Sequence, residues 1–201
     1  MPVFQKGSFS INLGIISIGG ELSEEDRQCA WELYCELVSR VALMGKENDH
    51  GELVFTGEVY SESLDSLHAF FREARALMRR YPVGRVATGD PQNHLGFFIA
   101  ALLEVVIRPF LEKWQATYRH WWERACKDQP ERSPFERQEG FPECQTMLAD
   151  WRGLRRFCRA AAKELTETFI LPDVASLEPP QLKQQWLKET DALLAKEQRD
   201  V

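Results

Sequence analysis

The side chains able to do chemistry fall into a few groups. Glu104 and Arg108 lie four residues apart inside an apolar stretch from Leu95 to Leu111, in the order that favours a helical ion pair. Pro109 follows at once; it deprives the Val105 carbonyl of its helical partner and should bend the helix. A charged pair beside a kink is a candidate polar pocket for a small molecule or a nucleotide. The alternative is an ion pair that only fixes packing register. Further on, Trp114, Tyr118, Trp121 and Trp122 recur at i, i+4, i+7 and i+8, so their rings share one stripe. Such rings anchor either cores or interfaces, which makes the four candidate partner-binding residues. In a core they would meet Trp151 and Trp186. Exposed beside Lys113, Arg119 and Arg124, they would suit an acidic protein, a stacked base or a membrane interface. A third group, Arg152, Arg156, Arg159 and Lys163, follows i, i+4, i+7, i+11, away from Trp151, Leu154 and Cys158. Guanidinium rows hold phosphates and carboxylates, so these are candidate anion-binding residues. Arg155 is on the same helix but outside the row. A solvated face, neutralised by acidic segments elsewhere, is the competing account.

Catalytic and metal-binding patterns are poorly represented. His50, His68, His94 and His120 occupy separate elements, and none falls in an H-x-x-x-H or H-E-x-x-H spacing. Asp65-x-x-His68 and His120-x-x-Glu123 are i, i+3 pairs that could face each other across a bundle as metal ligands, but the bridging glutamates of such sites are missing. There is no G-x-S-x-G, no phosphate-binding glycine loop and no dinucleotide fingerprint. The expectation is therefore no catalytic residue, no metal set and no cofactor. Cys29, Cys35, Cys126, Cys144 and Cys158 lack any C-x-x-C spacing and read as reduced, mostly buried thiols.

These groups must be positioned by a chain of 201 residues, 44% of them hydrophobic, which is long enough to bury roughly 70% of its unfolded surface. A single domain over residues 1–201 is expected. Met1 to Gly20 lacks the pattern of a signal peptide, and a cytoplasmic location follows as an expectation. The net charge of −6 argues against general nucleic-acid binding. It is unevenly spread: 4 basic against 12 acidic side chains in residues 1–70, 17 against 11 in 71–163, and 4 against 8 in 164–201.

Residues 8–20 alternate apolar and small polar side chains and then change parity, which predicts one bulged strand or a tight pair turning at Asn12 to Gly14. Leu53 to Tyr60 is the nearest candidate to pair with it. Residues 23–171 read as a helical bundle. Ser23 should cap a first helix that Gly45 ends, and Ser61 a second with Leu64, Leu67, His68, Phe71, Ala74, Arg75 and Met78 on one side. Asp90-Pro91 should start a third, continuing from Leu95 toward Cys126. With Glu104 and Arg108 inside it, its apolar run fits a buried bundle helix better than the ~20 apolar residues of a membrane span. Asp128 to Gly140 reads as a solvated loop. Pro142 should open a fourth helix with Leu148, Trp151, Leu154, Cys158, Ala161, Ala162, Leu165 and Phe169 on its core side. A final amphipathic helix is expected over 179–199. The fold class is thus mainly α, an antiparallel bundle of about five helices with a small N-terminal β element.

The segments Ala30-Trp31-Glu32-Leu33-Tyr34-Cys35-Glu36-Leu37-Val38-Ser39-Arg40, Leu64 to Phe71 and Ile107-Arg108-Pro109-Phe110-Leu111-Glu112-Lys113-Trp114 resemble a group of bacterial helical proteins. Its helices follow the patterns AWELY-x-ELV-x-R, SL-x-x-LF and LRPFL-x-KW. The resemblance spans residues 8 to 125, with Ile107 and Gln115 standing where the group carries Leu and often His. It implies a bacterial origin and an accessory role in conflict or antiphage loci, and it draws attention to Arg40, Arg108 and Trp114. The function expected from the sequence is a non-enzymatic, protein-binding module or accessory subunit with a protein partner. The alternatives are a sensor or enzyme with a pocket at Glu104 and Arg108, and a membrane-acting effector exposing the Leu95 to Leu111 helix. Stable membrane insertion is disfavoured by the two charges, each costing ~2.5–3.5 kcal/mol at a bilayer centre.

Overall fold

In the computed structural model, which describes residues 8–13, 17–21, 24–81 and 95–174, the N-terminal alternation forms two strands, β1 (Ser8–Asn12) and β2 (Ser17–Glu21). They pair antiparallel, Ser8 opposite Glu21 and Asn12 opposite Ser17, so the paired reading is the one adopted. Leu53 to Tyr60 does not join them. Only Leu53 and Val54 of that stretch form a strand, β4 (Leu53–Val54), and they pair with β3 (Lys46–Glu47). A local turn makes that pairing the nearer one: the Asn48 side-chain oxygen accepts from the backbone N–H groups of His50 and Glu52 at 3.0 and 2.9 Å.

The remainder is mainly helical. Helix α1 (Glu24–Val38) carries Glu24, Glu25 and Asp26 in its first turn, where the dipole favours acids. It ends before Gly45, because Arg40 is extended and starts a separate turn, α2 (Val41–Met44). Gly45 closes that turn at φ +67, with its N–H bonded to the Val41 carbonyl. A Cβ here would lie 2.9 Å from the Arg155 Cδ and 3.0 Å from the Leu53 Cδ2. Strain and crowding therefore coincide, and Gly45→Ala should lower stability by about 1–3 kcal/mol in a urea titration. An unchanged midpoint would mean that the turn relaxes freely.

Helix α3 (Tyr60–Arg80) buries Tyr60, Leu64, Leu67, Phe70, Ala74 and Leu77. That face is turned from the expected one: His68 and Arg75 are exposed, while Phe71 and Met78 are half-buried. Its first turn is not capped by Ser61, which lies inside the helix. The Gln138 side chain does this from far along the chain, accepting the Tyr60 N–H at 3.0 Å and donating to the Glu58 carbonyl at 2.8 Å. The Asp90-Pro91 cap and Ser23 lie outside the described residues.

Helix α4 (Leu95–Ala101) runs through a π-helical segment, Leu102–Ile107, into α5 (Arg108–Asp128). The predicted kink takes this form: the Arg108 N–H bonds the Leu103 carbonyl, and the widened turn accommodates the missing N–H of Pro109. Within the stretch read as a solvated loop there is a helix, α6 (Pro134–Glu139), held by a capping box between Ser133 and Glu136. Its Arg137 and Gln138 turn inward, where they satisfy carbonyls of the neighbouring loops, and this is why a charged segment packs. Helix α7 (Cys144–Phe169) buries all eight side chains expected on its core side. It runs antiparallel to α1 and to α5: Arg27 reaches the Phe169 carbonyl, and Lys113 and Trp114 meet Asp150. At the ends of the bundle, β1 lies against α7 and β2 against α4.

Residues Met1–Leu171 make one compact unit and Pro172–Val201 a second, of which 172–174 are described. The helix expected over 179–199, with Trp186, lies outside the described residues. Among the described residues no helix is long and apolar enough to cross a membrane.

Candidate functional site

The aromatic stripe divides. Trp114 and Tyr118, 1% and 0% exposed, are core residues, which removes them as contact surface. The Trp114 Nε1 donates to the Asp150 Oδ2 at 2.9 Å, and Lys113 donates to the same oxygen at 2.7 Å. The Lys113 hydrogen bond holds the Asp150 carboxyl below the usual range. Tyr118 meets Tyr60, whose ring in turn meets Trp151, and Phe110 lies 5.3 Å from Trp151. Trp121 and Trp122 are half-buried. Trp122 stacks on Tyr118 and carries the Arg137 guanidinium 5.3 Å from its centroid, so much of its surface is engaged.

The Tyr118 hydroxyl is buried without a hydrogen bond among the described residues, and burial pushes its pKa well up. Removing an unsatisfied buried group relieves a desolvation cost. Tyr118→Phe should therefore leave stability unchanged or raise it by up to ~1 kcal/mol in chemical denaturation. A loss above that would reveal a partner for the hydroxyl. The thiols match the reading as buried groups: burial pushes Cys29 and Cys158 up to about 12, and Cys144 upward.

The basic row is also largely committed inside the fold. Arg152 donates to the Leu53 carbonyl and packs over Phe55; Arg159 donates to the Met44 carbonyl and pairs with Glu47; Lys163 pairs with Glu167. Only Arg156 of the four is exposed with no bond or ion pair among the described residues. Arg152 and Arg159 tie α7 to the β3–β4 ribbon and to α2, while Lys163 pairs within α7, so the four do not present an open anion row. The neighbour set aside in the sequence, Arg155, is the buried hub. It is 0% exposed and pairs with Glu58, 3% exposed, at 2.5 Å, while donating to the Ala42 and Val54 carbonyls.

Glu104 and Arg108 do pair along the helix, but both are half-exposed and no sealed pocket surrounds them. Glu104 is not among the residues that line the neighbouring concavity. Arg108 lies over Phe71 of α3, its guanidinium carbon 5.6 Å from the ring centroid, and forms one end of a groove between α3 and α5. The groove has a volume of about 670 Å³. Phe71, Leu111 and Ala116 give it an apolar floor, and the short side chain of Ala116 keeps it open. His68, Glu112, Gln115, Arg119, His120 and Glu123 form its polar walls. It exists because α3 is rotated so that His68 and Phe71, not Phe70, look toward the outer side of α5. The two i, i+3 pairs therefore do come to facing helices. Asp65, however, is held by Arg119 at 2.6 Å. Among the described residues no cluster of three or more His, Cys, Asp or Glu side chains could hold a metal ion. Sequence reasoning named Arg108 as a pocket residue and His68, His120 and Glu123 only as members of the two i, i+3 pairs; the groove that joins them with Phe71 was not foreseen.

No family profile, curated protein or solved structure matches this chain.

Proposed function

We propose that the chain is a binding module that receives a segment of a protein partner in the groove between α3 and α5. What supports this is the shape and lining of that groove: an apolar floor with charged walls, extending from Arg108 to Glu123 of α5. From Arg108 to Glu123 the helix rises about 22 Å, or four turns, which suits a peptide segment laid lengthwise. Apolar anchors on the floor with polar groups at the rim are how amphipathic segments are held. The inner rings of the aromatic stripe, with Arg152 and Arg159 of the basic row, serve the fold, and the groove is a feature the fold does not use. An accessory subunit acting by capture, located in the cytoplasm of a bacterium, is the corresponding biological reading.

Site-specific photo-cross-linking tests it. A benzophenone side chain at His120, exposed on the wall of the groove, should give a discrete adduct with one protein in the native host, and the same group at Glu167 on α7 should not. The Ala116→Trp variant, carrying the probe at 120, should lose the adduct. No adduct from position 120, or the same adducts from both positions, would overturn the reading.

A further inference from the structure

The charges that line the groove do not balance. Two arginines of α5 take part, and each has an acid one turn further along its own helix, Glu112 after Arg108 and Glu123 after Arg119. Neither of these pairs forms. Arg108 is turned back to Glu104, which does not line the groove, and Arg119 is held across the helices by Asp65 at 2.6 Å. Glu112 and Glu123 are exposed and have no ion pair or hydrogen bond among the described residues. Arg75, which stacks on Phe71, is not among the lining residues. The uncompensated charge along the walls is therefore negative.

Glu112 and Glu123 are eleven residues apart, three turns of helix, so they lie on one face of α5 and about 16 Å from each other along its axis. Ala116 lies between them and, with Phe71 and Leu111, makes the apolar floor. Long basic side chains suit such a site, because their aliphatic stems lie on apolar surface while the charged head reaches an acid at the rim. We infer that the groove receives a basic amphipathic segment. Two Lys or Arg of that segment, three helical turns apart, meet Glu112 and Glu123, and the apolar side chains between them lie on Phe71, Leu111 and Ala116. The inference rests on the groove reading above and adds the charge and the charge spacing of the occupant.

Three labelled helical peptides of about 16 residues, sharing one leucine face, test it. The first carries two lysines eleven positions apart, the second the same lysines four apart, and the third glutamines in their place. In anisotropy titrations with the full chain at low salt, the first should bind roughly tenfold more tightly than the third, as two exposed charge contacts allow. The second should gain only about threefold, because one lysine alone can then meet an acid. The order should vanish with Glu112→Gln and Glu123→Gln combined, and also at about 1 M salt, where screening acts within ~3 Å. Combining Glu112→Lys with Glu123→Lys should reverse it, an outcome that an unfolded variant cannot imitate. Ala116→Trp, which fills the channel, should abolish binding of all three. Equal binding of the three, all lost on Ala116→Trp, overturns the basic occupant and leaves the groove standing. Equal affinity of the two lysine isomers, or an order that survives the double glutamine variant, overturns it as well, since the attraction would then be to the net charge of −6. Binding of none, or binding that Ala116→Trp does not weaken, also overturns it, and cross-linking from position 120 then decides the groove separately.

Discussion

Arg155→Met should cost about 3–5 kcal/mol of stability, one of the two largest effects expected from a single substitution in this chain. The guanidinium has no exposure, lies 4.1 Å from the Phe55 centroid and 5.3 Å from that of Trp151, and joins α7 to α2, to β4 and to Glu58 ahead of α3. Burial pulls its pKa down while Glu58 opposes the shift. Removing it strands the Glu58 carboxylate, of which, among the described residues, Oε1 already has no partner and Oε2 would keep only the Ser63 hydroxyl. Two backbone carbonyls lose a donor as well. An uncompensated buried charge is the reason for the large figure, since a buried pair replaced as a whole by apolar groups is often neutral. The double variant Glu58→Leu with Arg155→Met should therefore recover most of the loss and stay within ~2 kcal/mol of the wild type, the remainder being the Arg155 donor lost at the Val54 carbonyl, since the Ala42 carbonyl keeps the Trp151 Nε1 at 2.8 Å. Urea denaturation of the two single variants and the double closes the cycle. A single-variant loss below ~1 kcal/mol would mean that water reaches Glu58.

The same arginine marks where the sequence was readable and where it was not. On α7 the buried positions Cys144, Leu148, Trp151, Cys158, Ala162, Leu165 and Phe169 follow alternating steps of four and three, and Arg155 completes the series between Trp151 and Cys158. Spacing alone places it inside. Its charge argued for the surface, and its acid, Glu58, is 97 residues away in a loop, a distance across which no local pattern operates. The helical class and the inward face of α7 were legible because apolar periodicity is a local signal. On α3 the pattern was blurred by Phe70 and Phe71 being adjacent; either ring could lead the stripe, and tertiary packing buried Phe70. That choice turned Phe71 and His68 outward and created the groove, so the candidate site could not be read before the helices were docked. Gln138 capping α3 is illegible for the same reason: the cap lies 78 residues from the turn it closes.

Trp114→Ala is the other large effect, expected at about 3–5 kcal/mol for the lost ring, with up to ~1 kcal/mol more for its hydrogen bond to Asp150. At roughly 2–4 °C per kcal/mol for a chain of this size, the melting temperature should fall by about 10 °C. Trp114→Phe keeps most of the buried bulk, including the contact with Phe141, and isolates the hydrogen bond at ~1 kcal/mol. Trp122→Ala should cost less than Trp114→Ala, because that ring is half-buried and surrendering it opens a cleft that water can fill. The comparison separates a core role from an interface role within one stripe. Should Trp114→Ala melt like the wild type yet fail to capture a partner, the ring would belong to the contact surface after all. The fold argues for the reverse: Trp114 substitutions lose the partner only by losing the fold. Ala116→Trp, two residues along the same helix but in the open groove, should lose the partner at an unchanged melting temperature.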